Sequence, residues 1–281
     1  MTNEDQTNLN NSFEDDRIDL LELFSFLWEG RKTIVTLTTV CFLSSVVYAL
    51  SLNHYYKSTA TLSVIEAVSG GGGSLGGFAQ MAGISIQQMG IKGPRFINTV
   101  RSRSFLNHLI SNDENVLPAL LAVESYDRES KKLVFDPERY DEASKKWLVS
   151  KPDYLKAFPK YMKMLYTDYH DMRRIIDMQV EHISPIFAKE FLDAIIREGD
   201  KVLRDFDMQV STDSLEYLNL ELEETKLLNI KSSINQMILS QMQTKMMTQL
   251  GYNYVVKIID PPFMPLEPFW PSRRFIVMVA T

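Results

Sequence analysis

The chain is poor in the residues that build chemical centres. Its one cysteine, Cys41, excludes a disulfide or a multi-cysteine metal site within a single copy. The four histidines (His54, His108, His170 and His182) lie far apart, without HxxxH or HExxH spacing. There is no GxSxG and no kinase signature. Asp168, His170 and Asp171 are the densest group of potential ligands, but beside the start of a strand they read as a solvated turn. Glu223 and Glu224 read as the solvated face of a helix. The glycine-rich run from Gly70, GGGGSLGGFAQMAG, reaches no lysine until Lys92, where Gly93-Pro94 comes next, so it reads as a flexible loop rather than a phosphate loop. A basic excess is missing as well. The 30 Lys and Arg against 36 Asp and Glu leave a net charge of −6, the wrong sign for a nucleic-acid binder. The expectation is therefore no catalytic residue, no cofactor, no metal and no nucleic-acid partner.

Charge is missing from one further place, and there its absence is informative. Thr33–Leu52, TIVTLTTVCFLSSVVYALSL, runs about twenty residues without a charge, the length an α-helix needs to cross a hydrocarbon core of ~30 Å. Its hydroxyls can bond back to carbonyls one turn earlier. The span lies behind some thirty mostly acidic residues, unlike a cleaved signal peptide. Arg31 and Lys32 abut its start and favour a cytoplasmic N-terminus. Ahead of it, Asp15–Gly30 places Leu20, Phe24, Leu27 and Trp28 on one helical face. That is the stripe of a segment lying in the headgroup region with Trp28 as anchor, or of a small packing helix.

Beyond the span, three stretches alternate as half-buried strands do: Lys57–Glu66 with Ala60, Leu62 and Val64 on one face; Ile175–Ile183 with Ile176, Met178 and Val180; and Tyr252–Asp260 with Tyr252, Tyr254, Val256 and Ile258. Arg95–Ile110 has helical character with Ser102 and Ser104 as caps, and Pro159 starts or kinks a helix running through Leu165. Asn112–Pro159 yields only loops and short helices. Ser184-Pro185 is a helix start, and Phe187, Phe191, Ile195, Val202 and Phe206 lie along one side of the helix it opens. A separate long helix is expected over 211–250, free of glycine and proline until its end. There Leu215, Leu218, Leu222, Ile230, Ile234, Met237, Ile238, Met242 and Met246 recur at three- and four-residue steps, as a packing face. After Pro261, the residues Pro262, Pro265, Pro268 and Pro271 are spaced by three, the period of polyproline II, which predicts an extended strut of about 28 Å. Trp270, Arg273 and Arg274 then precede FIVMVAT, the opening turns of a second membrane helix.

The two ends resemble one family. IDLLELFSFLWEGRK, the apolar span and YYKSTATLSV are similar to the N-terminal signature of the polysaccharide co-polymerases, the Wzz-type chain-length determinants. VKIIDPPFMPLEPFWPSRRFIV resembles their strand, proline-rich segment and return to the membrane. SRSFLNHLI, HISPIFAKEFLDAIIRE and the helix ending near TQLGYNYVVKIID resemble their middle. The resemblance implies an α+β membrane protein of the bacterial inner membrane. Residues 1–32 would be cytoplasmic, 33–52 a transmembrane helix, and 53–260 a periplasmic α/β domain carrying the long helix. Residues 261–274 would form a proline-rich strut, and 275–281 the beginning of a second span. It further implies a homo-oligomeric ring in the lipid bilayer. Such a ring would work without catalysis alongside an inner-membrane O-antigen polymerase on undecaprenyl-linked polysaccharide, and so set the length of a surface glycan. Two other readings are a truncated kinase-type capsule or exopolysaccharide co-polymerase, and a two-span periplasmic sensor.

Overall fold

The computed structural model describes residues 28, 30–65, 92–249, 253–272 and 278. The chain divides into two compact units, residues 1–52 with 271–281, and residues 53–270.

In the first unit, helix α1 (Arg31–Ser51) starts after Gly30 and ends at Leu52, where the backbone turns extended. Its hydroxyls satisfy themselves on the helix. Thr36 donates to the Lys32 carbonyl at 2.7 Å, Thr39 to Val35 at 2.7 Å and Ser51 to Tyr48 at 2.8 Å. Val35, Leu37, Val40, Leu43, Val47 and Leu50 are exposed. The segment preceding Trp28, the glycine-rich loop, and Arg273 and Arg274 lie outside the described residues, as does the final apolar run apart from Met278, which is helical and exposed.

The second unit is built on a four-stranded antiparallel sheet of β1 (Tyr56–Val64), β6 (Leu165–His170), β7 (Ile175–His182) and β8 (Val256–Asp260), in the order β6-β7-β1-β8. Alternation decides its two faces. Tyr56, Ser58, Ala60, Leu62 and Val64 turn inward opposite His182, Val180, Met178 and Ile176, while Lys57, Thr59, Thr61, Asp177, Gln179 and Glu181 turn outward. Helices cover the inward face: α2 (Lys92–Val100), α3 (Arg103–Asn112), α4 (Val116–Leu121), α5 (Tyr154–Met164) and the first half of α6 (Pro185–Glu224). Phe96, Leu106, Leu120, Leu192 and Ile195 are fully enclosed there, and the Tyr161 hydroxyl donates to the Val100 carbonyl at 2.5 Å. Burial pushes that phenol well above its usual range.

Two of the expected caps form, at Ser102 and Ser184, whereas Ser104 lies within α3. The Ser102 hydroxyl accepts from Phe105 N–H at 3.1 Å and opens α3, with Ser104 Oγ 3.0 Å away. The Ser184 hydroxyl accepts from Phe187 N–H at 3.2 Å, with Pro185 as the first helical residue. His182 closes the same corner. Its Nε2 donates to the Ala119 carbonyl at 3.2 Å, Nδ1 accepts from Ser184 N–H at 3.1 Å, and the ring lies 4.5 Å from Phe187. Burial disfavours its charged form and lowers the pKa to about 4.

Three expectations are corrected. The helix foreseen as one piece over 211–250 is two. α6 begins at Pro185 and runs 40 residues, the chain breaks at 225–227, and α7 covers Leu228–Gln249. No breaker separates Phe206 from Ser211, so the helix started at Ser184 simply continues. At Thr225 the backbone becomes extended, and folding back there lets Leu218 and Ile234 leave water together. Tyr252 lies outside the described residues, and from 253 onward the last strand starts only at Val256, because Tyr254 and Val255 are both drawn inward and Asn253 adopts a positive φ of 69° just before them. Of the two readings of Pro159, the one in which it starts its helix is corrected: it lies inside α5, which begins at Tyr154 after Asp153.

Residues 112–159, expected to hold only loops and short helices, also contain two hairpins. β2 (Val123–Asp127) pairs with β3 (Lys132–Phe135), and β4 (Tyr140–Asp141) with β5 (Lys146–Trp147). Their turns are copies. Asp127 accepts from Glu129 N–H and from the Ser130 hydroxyl (2.6 Å), and Asp141 accepts from Ala143 N–H and from the Ser144 hydroxyl (2.6 Å). Lys131 and Lys145 take φ values of 56° and 53°. The repeat Tyr-Asp-x-x-Ser-Lys-Lys at 126–132 and 140–146 was the available signal.

Candidate functional site

No reactive constellation stands out among the described residues. His170 Nε2 lies 3.1 Å from Asp177 Oδ2 and 3.8 Å from Asp168 Oδ2, while Asp171 sits in the turn whose carbonyl accepts from Arg174 N–H. The described residues contain no group of three or more His, Cys, Asp or Glu arranged to hold a metal. The surfaces that remain are the helical hairpin and the proline-rich segment.

Helices α6 and α7 pack against each other across a three-residue break, which makes them an antiparallel hairpin. Its seam uses small and apolar residues: Ser211 and Leu218, seven apart on α6, and Ile234 and Thr248, fourteen apart on α7. The residues expected to form one packing face divide between two. Leu218 (7% exposed) and Ile234 (6%) are buried in the seam, with Leu215, Leu222 and Ile238 half-buried beside them. Ile230, Met237 and Met242 are exposed, together with Tyr217, Leu220, Leu239 and Met246. At the tip Leu228 is 84% exposed, with Leu227 next to it. A 3.6-residue repeat identifies a helix's apolar residues but does not say which neighbour takes each. Here the partner helix takes one row and leaves another outside.

The proline-rich segment runs back along the start of β1. Ser58 Oγ donates to the Phe263 carbonyl at 2.8 Å, and Tyr55 N–H donates to the Trp270 carbonyl at 2.7 Å. Phe269 N–H donates to the Tyr55 carbonyl at 2.7 Å. The Lys57 ammonium sits 3.5 Å over the Phe269 ring, and the Trp270 ring meets Tyr55 edge-on at 5.8 Å. The straight strut is not what forms. Six residues from Phe263 to Phe269 match only three on β1, and the chain bends at Leu266 and Glu267. Pro262 and Pro265 are buried, whereas Pro261 and Pro268 are exposed. The bend lies between the two places where this backbone is tied down, Phe263 at Ser58 and Phe269-Trp270 at Tyr55. In the first unit Pro271 is buried, Arg31 and Lys32 are exposed, and the Arg31 guanidinium lies 4.9 Å over the Trp28 ring.

At the foot of the hairpin, Arg95, Lys92, Asp200, Asp207 and Tyr254 gather. Burial lowers the Lys92 pKa, against the opposing pull of Asp207 and Asp200. Burial and the Asp207 carboxylate raise that of Tyr254. No local pattern announces this group, since its members lie up to 162 positions apart.

The model of one family, Wzz, chain length determinant protein, matches residues 16–112. No curated protein matches the chain. Among solved structures, a full-length bacterial polysaccharide co-polymerase is 13% identical, with 93% of this chain and 92% of that one covered and a TM-score of 0.37.

Proposed function

We propose that this chain, which carries a chain length determinant region over residues 16–112, is a non-catalytic oligomeric co-polymerase that sets the preferred length of a bacterial surface polysaccharide. The family match is the observation that carries the reading, and it bears out the resemblance drawn from the sequence. The glycan is O-antigen of lipopolysaccharide, in growth on an undecaprenyl carrier beside its inner-membrane polymerase. The 21 residues of α1, ~31 Å of helix, cross the inner membrane with Arg31 and Lys32 on the cytoplasmic side. The domain 53–260 stands in the periplasm. The segment 261–274, braced by Pro261, Pro262, Pro265, Pro268 and Pro271 and anchored by Trp270, Arg273 and Arg274, returns the chain to a second span that begins at 275. Lipid covers the apolar side chains exposed on α1. Neighbouring copies in a ring cover the outward row of Ile230, Met237 and Met242. A ring of this kind needs no reactive side chain, because it biases the polymerase between extending and releasing a chain.

The test is a gel of surface lipopolysaccharide from the host with the gene deleted and then restored. Collapse of a clustered ladder into an unclustered distribution, reversed on restoration, is the expected result. An unchanged ladder overturns the O-antigen assignment, and unchanged capsule and exopolysaccharide lengths would overturn the length-setting role altogether.

A further inference from the structure

The hairpin leaves the body of the domain at one place. Up to Leu203 the buried residues of α6 belong to the central core; beyond it only Ser211 and Leu218 are enclosed. Two aspartates flank that exit, Asp200 and Asp207, seven residues apart and hence on one face of the helix. Asp200 is only 8% exposed, and its carboxylate is taken up by backbone. Oδ2 accepts from Tyr254 N–H at 3.0 Å, and Oδ1 accepts from Val255 N–H at 2.6 Å and Val256 N–H at 3.2 Å. The Lys92 ammonium donates to the Tyr254 carbonyl at 3.4 Å and lies 4.2 Å over its ring, holding the same peptides from the α2 side. Two turns further out, Asp207 accepts both arms of the Arg95 guanidinium at 2.6 and 3.1 Å and the Tyr254 hydroxyl at 2.8 Å. The Arg95 guanidinium also lies 5.2 Å over the Phe206 ring.

Three elements distant in sequence meet here: the start of α2, the exit of the outgoing helix, and the residues that lead from the returning helix into β8. A fork-on-carboxylate pair fixes direction as well as distance, unlike an apolar contact, which tolerates sliding. The lever above it is long. From Asp200 to Glu224 the hairpin reaches ~36 Å, so a ~10° tilt at the base moves the tip by ~6 Å.

We infer that Asp200, Asp207, Arg95, Lys92 and Tyr254 form a clasp that sets the direction of the helical hairpin, and that these positioning residues thereby determine which glycan length is preferred. The length part rests on the function proposed above; the orientation part does not. Breaking the clasp frees the hairpin to sample several directions and blurs the preferred length, while leaving the core that lies below Leu203.

The experiment uses the full chain in bilayers, with Cys41→Ala and spin labels at Lys163→Cys on α5 and Glu223→Cys near the tip, diluted with unlabelled chain. Arg95→Ala and Asp207→Asn are compared with the charge-exchanged pair Arg95→Asp/Asp207→Arg, and each is also placed in the gene-deleted host for the glycan gel at matched membrane levels. Arg95 is partly exposed, so its loss spares the fold where Asp200→Asn, which disturbs a buried carboxylate, could unfold it. The expected result is an interspin distance that broadens by several ångströms and a ladder that loses its preferred cluster in both single variants. Both are regained in the exchanged pair. An unbroadened distance in Arg95→Ala and Asp207→Asn overturns the clasp. Broadened distances with an unchanged ladder overturn its role in length. A host whose ladder ignores the gene deletion itself overturns the O-antigen assignment, while the distance measurement still decides the clasp.

Discussion

The sheet-and-helix body and the hairpin that leaves it are made from the same apolar residue types, put to opposite uses. In the body, Phe96, Leu106, Leu192 and Ile195 touch only protein. In the hairpin one seam row is enclosed while Tyr217, Leu220, Leu228, Leu239 and Met246 face outward. A layered domain with a sheet face to cover can bury nearly everything it has. Two helices have one shared seam, and whatever does not fit there stays on the surface. The body therefore encloses its apolar core within one copy, and the hairpin leaves a row of its own apolar residues exposed. Stability and assembly should separate along that line.

The sharpest break in the comparison is Phe96→Ala. It empties a fully enclosed site and should cost about 3–5 kcal/mol, read as a fall in the unfolding midpoint of the detergent-solubilised chain. Acid should come next. Because the folded His182 has its pKa lowered from 6.5 to about 4, the unfolded chain takes up the proton first. Its contribution is whole above pH 6.5, is lost as the pH falls toward 4, and totals about 3 kcal/mol. His182→Gln should flatten that window in a pH series of melting curves, and an unchanged slope would remove His182 as its source. Gly199→Ala is smaller. A Cβ there would stand 2.8 Å from Val100 Cγ1 and 2.9 Å from Phe96 Cε2, forcing α2 off α6. Gained helix propensity offsets part of the strain, for a net loss of about 1–2 kcal/mol by the same melt. Least of all, Leu228→Ser at the hairpin tip should leave the protomer's melting within about 0.5 kcal/mol, yet lower the oligomer mass measured in detergent. If it lowers stability as much as Phe96→Ala, the hairpin belongs to the core and the contrast fails.

The same contrast explains what could be read from the residues alone. Strands β1 and β7 were legible because one face is covered and the other wet, so burial repeats every second residue: Ala60, Leu62 and Val64, then Ile176, Met178 and Val180. Ser184-Pro185 was legible because a cap is a local bond between a hydroxyl and an N–H three residues on. Where the hairpin turns was not, since Thr225-Lys226-Leu227 holds neither glycine nor proline and the turn is imposed by what the two halves bury. Nor was the clasp at Asp200, whose three donors lie 54 to 56 positions away. The twin turns at 126–132 and 140–146 were visible as a repeated heptapeptide but fell in a stretch with no hydrophobic period to draw attention to it.

The position of β1 has a consequence for how the chain comes to be folded. β1 lies between β7 and β8, and its Val64 pairs with Val256, nearly two hundred residues later. As the polypeptide emerges from the ribosome, β1 is the first of the four strands to appear, and it waits for its outer neighbour until residues 256–260 are made. Closing so long a span is entropically costly and kinetically slow. Until then β1 presents a bare edge able to pair with strands of other nascent chains. Its alternating hydroxyls, Thr59, Thr61 and Ser63, keep that waiting strand polar on one face. The arrival of β8 is thus the step that seals this edge of β1.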